Sequence, residues 1–219
     1  DWPLVGAWSS GSAVVGEMVN NLGPLQFDLL APFTKAPFGL WSPYLGTGVG
    51  VAAANAGAVV LVWCCARALF GPLRCALVML GTLGLVGTLG LHWMLDARQQ
   101  SAMVLPLYAL LWLSVAMWAR RSWSVPWSLL VGSLLLQTHF SLAYQALLVV
   151  GAAGVGYVVM AIRGAVGAWR RTALWSAAVV VVCWAQPLAD QLFGAGNLGR
   201  VLGVSGGDSA RYDLGAKLV

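Results

Sequence analysis

Charged residues fall along this chain in clumps, and the apolar stretches between the clumps have the length of a membrane crossing. Lys35 and Arg67 enclose 31 uncharged residues, Arg74 and Asp96 enclose 21, Arg98 and Arg120 enclose 21, Arg121 and Arg163 enclose 41, and Arg171 and Asp190 enclose 18. A helix needs about 20 residues to cross a hydrocarbon core of about 30 Å, so the run of 41 holds two spans. The pattern predicts six spans, near 45–66, 75–95, 101–119, 123–141, 142–162 and 172–189. Lipid offers the backbone no hydrogen-bond partners, so each span pairs its own amides as a helix. The predicted fold class is all-α, a polytopic transmembrane helical bundle of about six spans. Residues 1–44 and 190–219 flank it as loop segments, and 45–189 form the bundle.

Just before the first span, "NNLGPLQFDLLAPF" (20–33) breaks the pattern. It is too polar to cross a membrane and too apolar for an ordinary loop. Pro24 suits a first helical position, and Pro32 disfavours helix at Ala31, which predicts a helix near 24–31. At about 100° per residue, Leu22, Leu25, Leu29 and Phe33 share one side, and Asn21 and Asp28 share the other. A short amphipathic helix of this kind lies in the membrane interface with its apolar face down.

Composition agrees with the pattern. The chain is 60% hydrophobic and 9% charged, with mean hydropathy +0.81, against about 25% charged residues in soluble domains. Six spans place Arg67, Arg74, Arg120, Arg121, Arg163, Arg170 and Arg171 on one side with no acid among them. The opposite side takes every acid: Asp1, Glu17, Asp28, Asp96, Asp190, Asp208 and Asp213. Positive residues in short loops mark the cytoplasmic side, so the acidic loops are expected to be extracytoplasmic, in a multi-pass protein of the cell membrane. The net charge of +5 is then spent on topology in short loops, and no nucleic-acid-binding face results. Trp118, Trp123, Trp127, Trp169 and Trp175 are expected at the inner interface, and Trp41 and Trp93 at the outer one.

The cysteines carry no metal spacing, and Cys64, Cys65 and Cys75 fall at the expected cytoplasmic ends of spans one and two. Gly81, Gly84, Gly87 and Gly90 leave a smooth strip on span two, and Gly46 and Gly50 do the same on span one. Both strips read as sites of close helix–helix contact, with a lipid tail as the alternative on span two.

Polar residues gather at the acidic side. "QTHFSLAYQ" (137–145) marks the turn between spans four and five. It reads either as a polar hairpin or as a lip for a substrate head group, with His139 its proton-exchanging residue near neutral pH. Pro187, in "CWAQPLADQLFGAGNLGR" (183–200), is expected to stop or kink the last span, ahead of Asp190, Gln191, Asn197 and Arg200. Asp1, Asp28, Asp96, Arg98, His139, Asp190 and Arg200 would thus ring one mouth over the bundle.

The order "DWPLVGAW…NNLGPLQFDLLAP", followed by "LLLQTHFSLAY" and "WAQPLADQLFGAGNLGR", resembles actinobacterial membrane proteins of the GT-C glycosyltransferase class. The resemblance implies a sugar donor on a polyprenyl phosphate, a glycan or lipid acceptor outside the membrane, and a catalytic base in the first outer loop, at Asp1. A His-Pro in that pattern stands here as Asn21-Leu22. The class has a transmembrane helix before this loop and further spans after the sixth, so the chain is expected to be part of a larger enzyme, with further spans or subunits as partners. Glycosyl transfer needs a carboxylate to accept the acceptor hydroxyl's proton and cations or amides to meet charge on the departing phosphate. Asn20, Asn21, Asp28, Arg98, His139, Asp190 and Arg200 are the candidate substrate-binding residues, with Lys35 a weaker one. No cofactor is assigned from the residues. The acids leave a divalent metal open, but no two of them stand at a ligand spacing. The alternative reading is a transporter or flippase component without catalysis. The spans carry no Asp, Glu, Lys or Arg in their interiors, which transporters usually have near mid-membrane.

Single cysteines introduced beside Arg120 and beside Asp96 should be labelled by an impermeant thiol reagent from opposite faces of the membrane, the Asp96 site from outside. Labelling of both from one face would overturn the six-span reading.

Overall fold

In a computed structural model of the protein, the described residues are 5–7, 9, 20–35, 42–194 and 196–200. They form nine helices and no sheet: α1 (Leu25–Thr34), α2 (Pro43–Leu69), α3 (Pro72–Leu89), α4 (Leu91–Leu95), α5 (Gln99–Ala102), α6 (Val104–Trp118), α7 (Ser124–Thr138), α8 (Phe140–Ile162) and α9 (Trp169–Phe193). Five segments are long and apolar enough to cross a membrane, namely α2, α3, α5 with α6, α8 and α9. α7, with 15 residues, rises only about 22 Å. It nevertheless carries the chain back between α6 and α8, so the bundle is passed six times. Its far end meets α9 through Gln137 and Cys183, and its start lies beside Arg171 and Trp175 at the opposite end.

The two bundle ends are chemically distinct. Turns at 70–71, 119–123 and 163–168 carry the arginine loops. Segments 20–35, 90–103, 137–141, 186–194 and 196–200 lie at the acidic end. α6 is the central helix, with 61% of its spanning window buried, and it packs on α2, α7 and α8. In lipid, burying a leucine gains little over leaving it exposed, and small residues decide how closely helices approach. Ala109, Ala116, Ala146 and Ala153 are accordingly among the most buried positions, beside Leu110, Leu113 and Met117.

Three boundaries and one glycine strip differ from those expected. Span two is not continuous to 95: Gly90, at φ +84°, ends α3 and lets α4 turn back over α2, where Asn55 Nδ2 donates to the Met94 carbonyl at 3.2 Å. Only glycine adopts that backbone region without strain. α1 runs through Pro32 to Thr34, because Leu30 and Phe33 are seated on α2: a Cβ at Gly50 would lie 2.7 Å from Leu30 and 3.0 Å from Phe33. The contact expected of Gly50 is therefore made. On α3, by contrast, nothing among the described residues lies within 4 Å of a Cβ placed at Gly81, Gly84 or Gly87. α3 meets the bundle through its other face, at Cys75 and Thr82.

Pro187 does not stop α9, which continues to Phe193. A proline removes the amide that would pair with the carbonyl four residues earlier, here Cys183. Gln137, fully buried on α7, donates Nε2 to that carbonyl at 2.7 Å. Its Oε1 has no partner and abuts Gly23, where a Cβ would collide with it and would sit 2.7 Å from the Pro187 ring.

Gln137→Leu should lower stability by about 1–3 kcal/mol, the cost of a buried unpaired polar group. Pro187→Ala restores the missing amide, so Gln137→Leu should cost clearly less in a Pro187→Ala background. A double-mutant cycle of thermal unfolding in detergent checks this; additive losses would show that Gln137 does not serve the freed carbonyl.

Candidate functional site

α1 lies across the acidic end of the bundle and separates two spaces. Its apolar face, Leu25, Leu29 and Phe33, roofs a groove of about 930 Å³ between α2 and α7. The groove follows α2 from Gly50 to Ala68, a rise of about 27 Å, and reaches Arg67 and Trp123 at the arginine end. The other side of α1 walls a cavity of about 490 Å³, where Asp28, Thr34, Lys35, Thr47, Arg98 and Gln99 stand among apolar neighbours such as Phe27, Leu30 and Ala97. Gln26, buried under α1, donates to the Ala97 carbonyl at 3.4 Å and fixes the helix to this wall.

Asp28 is half-buried, lines the cavity, and lies 3.5 Å from Gln186 Nε2 on α9. Arg98 stands exposed at the cavity rim and grips Asp96: Nε and one terminal nitrogen each reach Oδ2 at 2.7 Å, and the Arg98 amide donates to Oδ1 at 3.0 Å. These bonds hold the Asp96 carboxyl at about 2, below the usual carboxylate range, and push the Arg98 guanidinium up. A lowered carboxylate value contributes stability above the ordinary range that is lost only as pH falls toward 2. The rim pair therefore stays charged at any physiological pH.

The remaining expected site residues divide between structural and open roles. Asn197 acts as a clasp: its Oδ1 accepts from the Asn20 amide, and its Nδ2 donates to the Asn20 and Asn21 carbonyls, each at 3.2 Å. The buried Asp190 carboxylate orients it by accepting the Asn197 amide at 2.8 Å. Asn21 is 4% exposed, and its Nδ2 donates to Gln99 Oε1 at 3.1 Å. The shared face with Asp28 predicts an Asn21 side chain facing up into the mouth; it is instead buried and holds the segment before α1 to α5. His139 breaks α7 from α8 in extended conformation (φ −151°) and caps α8, accepting the Ser141 amide on Nδ1 at 3.2 Å. Its Nε2 lies 3.5 Å from Gln100. Arg200 is exposed at the end of a helical turn over 197–200. Asp1 lies outside the described residues. Asp28, Arg98 and Lys35 are thus brought to one cavity, and Asn20, Asn21 and Asp190 to the clasp beside it.

Sequence reasoning passed over Gln26, Thr34, Thr47 and Gln99. Gln26 gave a signal, being polar one residue after Leu25 in a helix otherwise apolar on its downward side. Gln99 belongs to the only Gln-Gln pair and opens a span directly after Arg98. Among the described residues no three His, Cys, Asp or Glu side chains converge as a metal site. Compared with models of protein families, with curated proteins and with solved structures, the chain matches none.

Asn197→Ala removes the three bonds that the Asn197 side chain makes to Asn20 and Asn21. It should expose the segment before α1 to proteases at lower denaturant than wild type, while unfolding of the helical bundle shifts by no more than about 2 kcal/mol. Unchanged proteolysis would rule out the clasp.

Proposed function

We propose that the protein is a membrane glycosyltransferase that moves a sugar from a polyprenyl-phosphate donor to a glycan or lipid acceptor at the extracytoplasmic face. The observation that carries this reading is the position of α1, between a long apolar groove and a cavity that gathers Asp28, Lys35, Arg98 and Gln99. A donor of this class has the same two parts, an isoprenoid chain tens of ångströms long and a charged sugar phosphate joined to one end. The groove suits the chain: it is apolar along the height of the bundle, and a lipid tail reaches it without leaving the membrane. The cavity suits the head: Arg98 and Lys35 offer cations to the phosphate, and Asp28, Gln99 and Thr47 offer hydrogen-bonding groups to sugar hydroxyls. The arginine-only end supports placing the cavity on the outer side.

In this reading Asp1 is the general base. Its carboxylate takes the proton from the acceptor hydroxyl as that oxygen bonds to the anomeric carbon, and the bond to the donor phosphate breaks. The departing negative charge is met by the guanidinium of Arg98, whose pairing with Asp96 uses one edge of the fork and leaves the other available. Leu25 and Leu29 would hold the isoprenoid chain below α1, so the head group enters the cavity at a set height.

In the intact protein, Asp1→Asn should lower sugar transfer from a radiolabelled polyprenyl-phosphate donor by about 10²–10⁴-fold and leave donor binding unchanged. Leu25→Ser with Leu29→Ser should instead weaken donor binding, read as a raised KM. Transfer within about threefold of wild type for Asp1→Asn would remove Asp1 from the base role. Donor translocation without any transfer would favour the flippase alternative.

A further inference from the structure

A second cavity lies at the opposite, arginine end, away from everything proposed for the sugar. It is about 460 Å³, formed between the start of α7 and the start of α9, and three indoles line it: Trp123, Trp127 and Trp175. All three indoles keep an exposed surface. Arg171 stands at the cavity with Thr172, and Leu130 and Val179 continue its wall toward the bundle centre.

The lining has a direction. Trp175 follows Arg171 by one turn of α9, and Val179 follows Trp175 by another, so cation, indole and aliphatic side chain succeed one another along one helix face. An amphiphile lying along that face would meet its charged group first, its interfacial region next and its chain last. Indoles prefer that middle depth. The cation-bearing end also lies at the first turn of α9, whose N-cap, Ala168 at φ +53°, supplies no side-chain cap. The amides of that turn point toward the same end, and a helix start favours negative charge.

The charge at this end decides the sign of the occupant. Arg67, Arg74, Arg120, Arg121, Arg163, Arg170 and Arg171 are joined by no Asp or Glu in the three loops. Several of these arginines have other company. Arg67 lies over the Trp63 ring at 5.2 Å, Arg170 over Trp169 at 5.7 Å, and Arg121 donates to the Ala68 carbonyl. Arg171 is the one that lines this cavity.

We propose that the cavity between α7 and α9 binds an anionic phospholipid of the leaflet at the arginine end. Its phosphate lies on Arg171 and the first turn of α9, and an acyl chain lies over Trp175, Leu130 and Val179. The shortness of α7 gives the site a physical reason. A helix of about 22 Å does not fill a core of about 30 Å, and the shortfall beside α9 is taken up by lipid. The cavity shares Trp123, Trp127 and Leu130 with the groove below α1, whereas Arg171, Thr172 and Trp175 line this cavity and not the groove, and the proposal rests on those.

The test uses the whole chain in phosphatidylcholine nanodiscs, titrated with brominated phosphatidylglycerol or brominated phosphatidylcholine, with indole fluorescence as readout. The wild type should be quenched by phosphatidylglycerol at about fivefold lower mole fraction, the effect of one basic residue near a membrane surface. Arg171→Gln should abolish the preference, and Arg170→Gln, with the same change in charge but outside the cavity, should keep it. Trp175→Ala should weaken quenching by both lipids. Equal quenching by the two lipids in the wild type, or equal loss in the two arginine variants, would overturn the site. Soluble glycerol phosphate should not compete; displacement by it would overturn the assignment to a lipid.

Discussion

Pro187 leaves a carbonyl without its helical amide inside a lipid-facing bundle, and the placement of the acidic end depends on how that vacancy is filled. Gln137 reaches across from α7 and donates to the Cys183 oxygen. The number of unpaired acceptors does not fall, because Gln137 Oε1 is itself left without a partner. What the arrangement gains is a short bond between two helices at one height, in a medium where few competing partners exist. That bond fixes α7 against α9, and the pair makes the floor on which Gly23 rests. A residue with a side chain could not rest there, since a Cβ would collide with the amide and the proline ring. Gly23 in turn sets where Pro24 starts α1, and α1 divides groove from cavity. A defect in one helix thus determines the position of an element 160 residues away in sequence.

The same end is then closed by amides rather than by ion pairs. Asn197, Asn20, Asn21 and Gln99 form a chain of side-chain and backbone hydrogen bonds anchored on Asp190. Neutral amides suit this position. They bond in both directions, and Lys35 and Arg98 line the neighbouring cavity. The one ion pair described here, Asp96 with Arg98, is exposed and local, so it shapes the rim and contributes little to holding the fold.

The six passes were legible because charge gaps are set by the thickness of the membrane, which does not vary along one chain. Arg67, Arg74, Arg120 and Arg121 marked turns that the structure places as expected. Breaks inside spans were less legible, because they depend on contacts between helices. Gly90 looked like one more member of a glycine strip, yet its positive φ ends α3, and Gly81, Gly84 and Gly87 face away from the bundle. Pro187 looked like a terminator, and nothing local distinguishes a terminating proline from one whose orphan carbonyl is met by a distant glutamine. The candidate site was half legible for a related reason. Asp28 and Arg98 could be placed on the cavity from side and charge alone. Asp190 carries the same charge but is turned inward by the Asn197 amide, a contact across a glycine-broken turn that no periodicity announces.

The two ends also differ in how charge is answered. The three arginine loops hold no acid that could pair with Arg67 or Arg170. The described partners at that end are accordingly neutral: indole rings for Arg67 and Arg170, a backbone carbonyl for Arg121. Neutral partners return less energy than carboxylates do, so the end keeps an unspent attraction for anions. Lipid phosphates are the anions a membrane always supplies at that depth. On the proposal made above, the same arginines that mark this end also draw lipid phosphate, and the short α7 leaves room beside α9 for the chain.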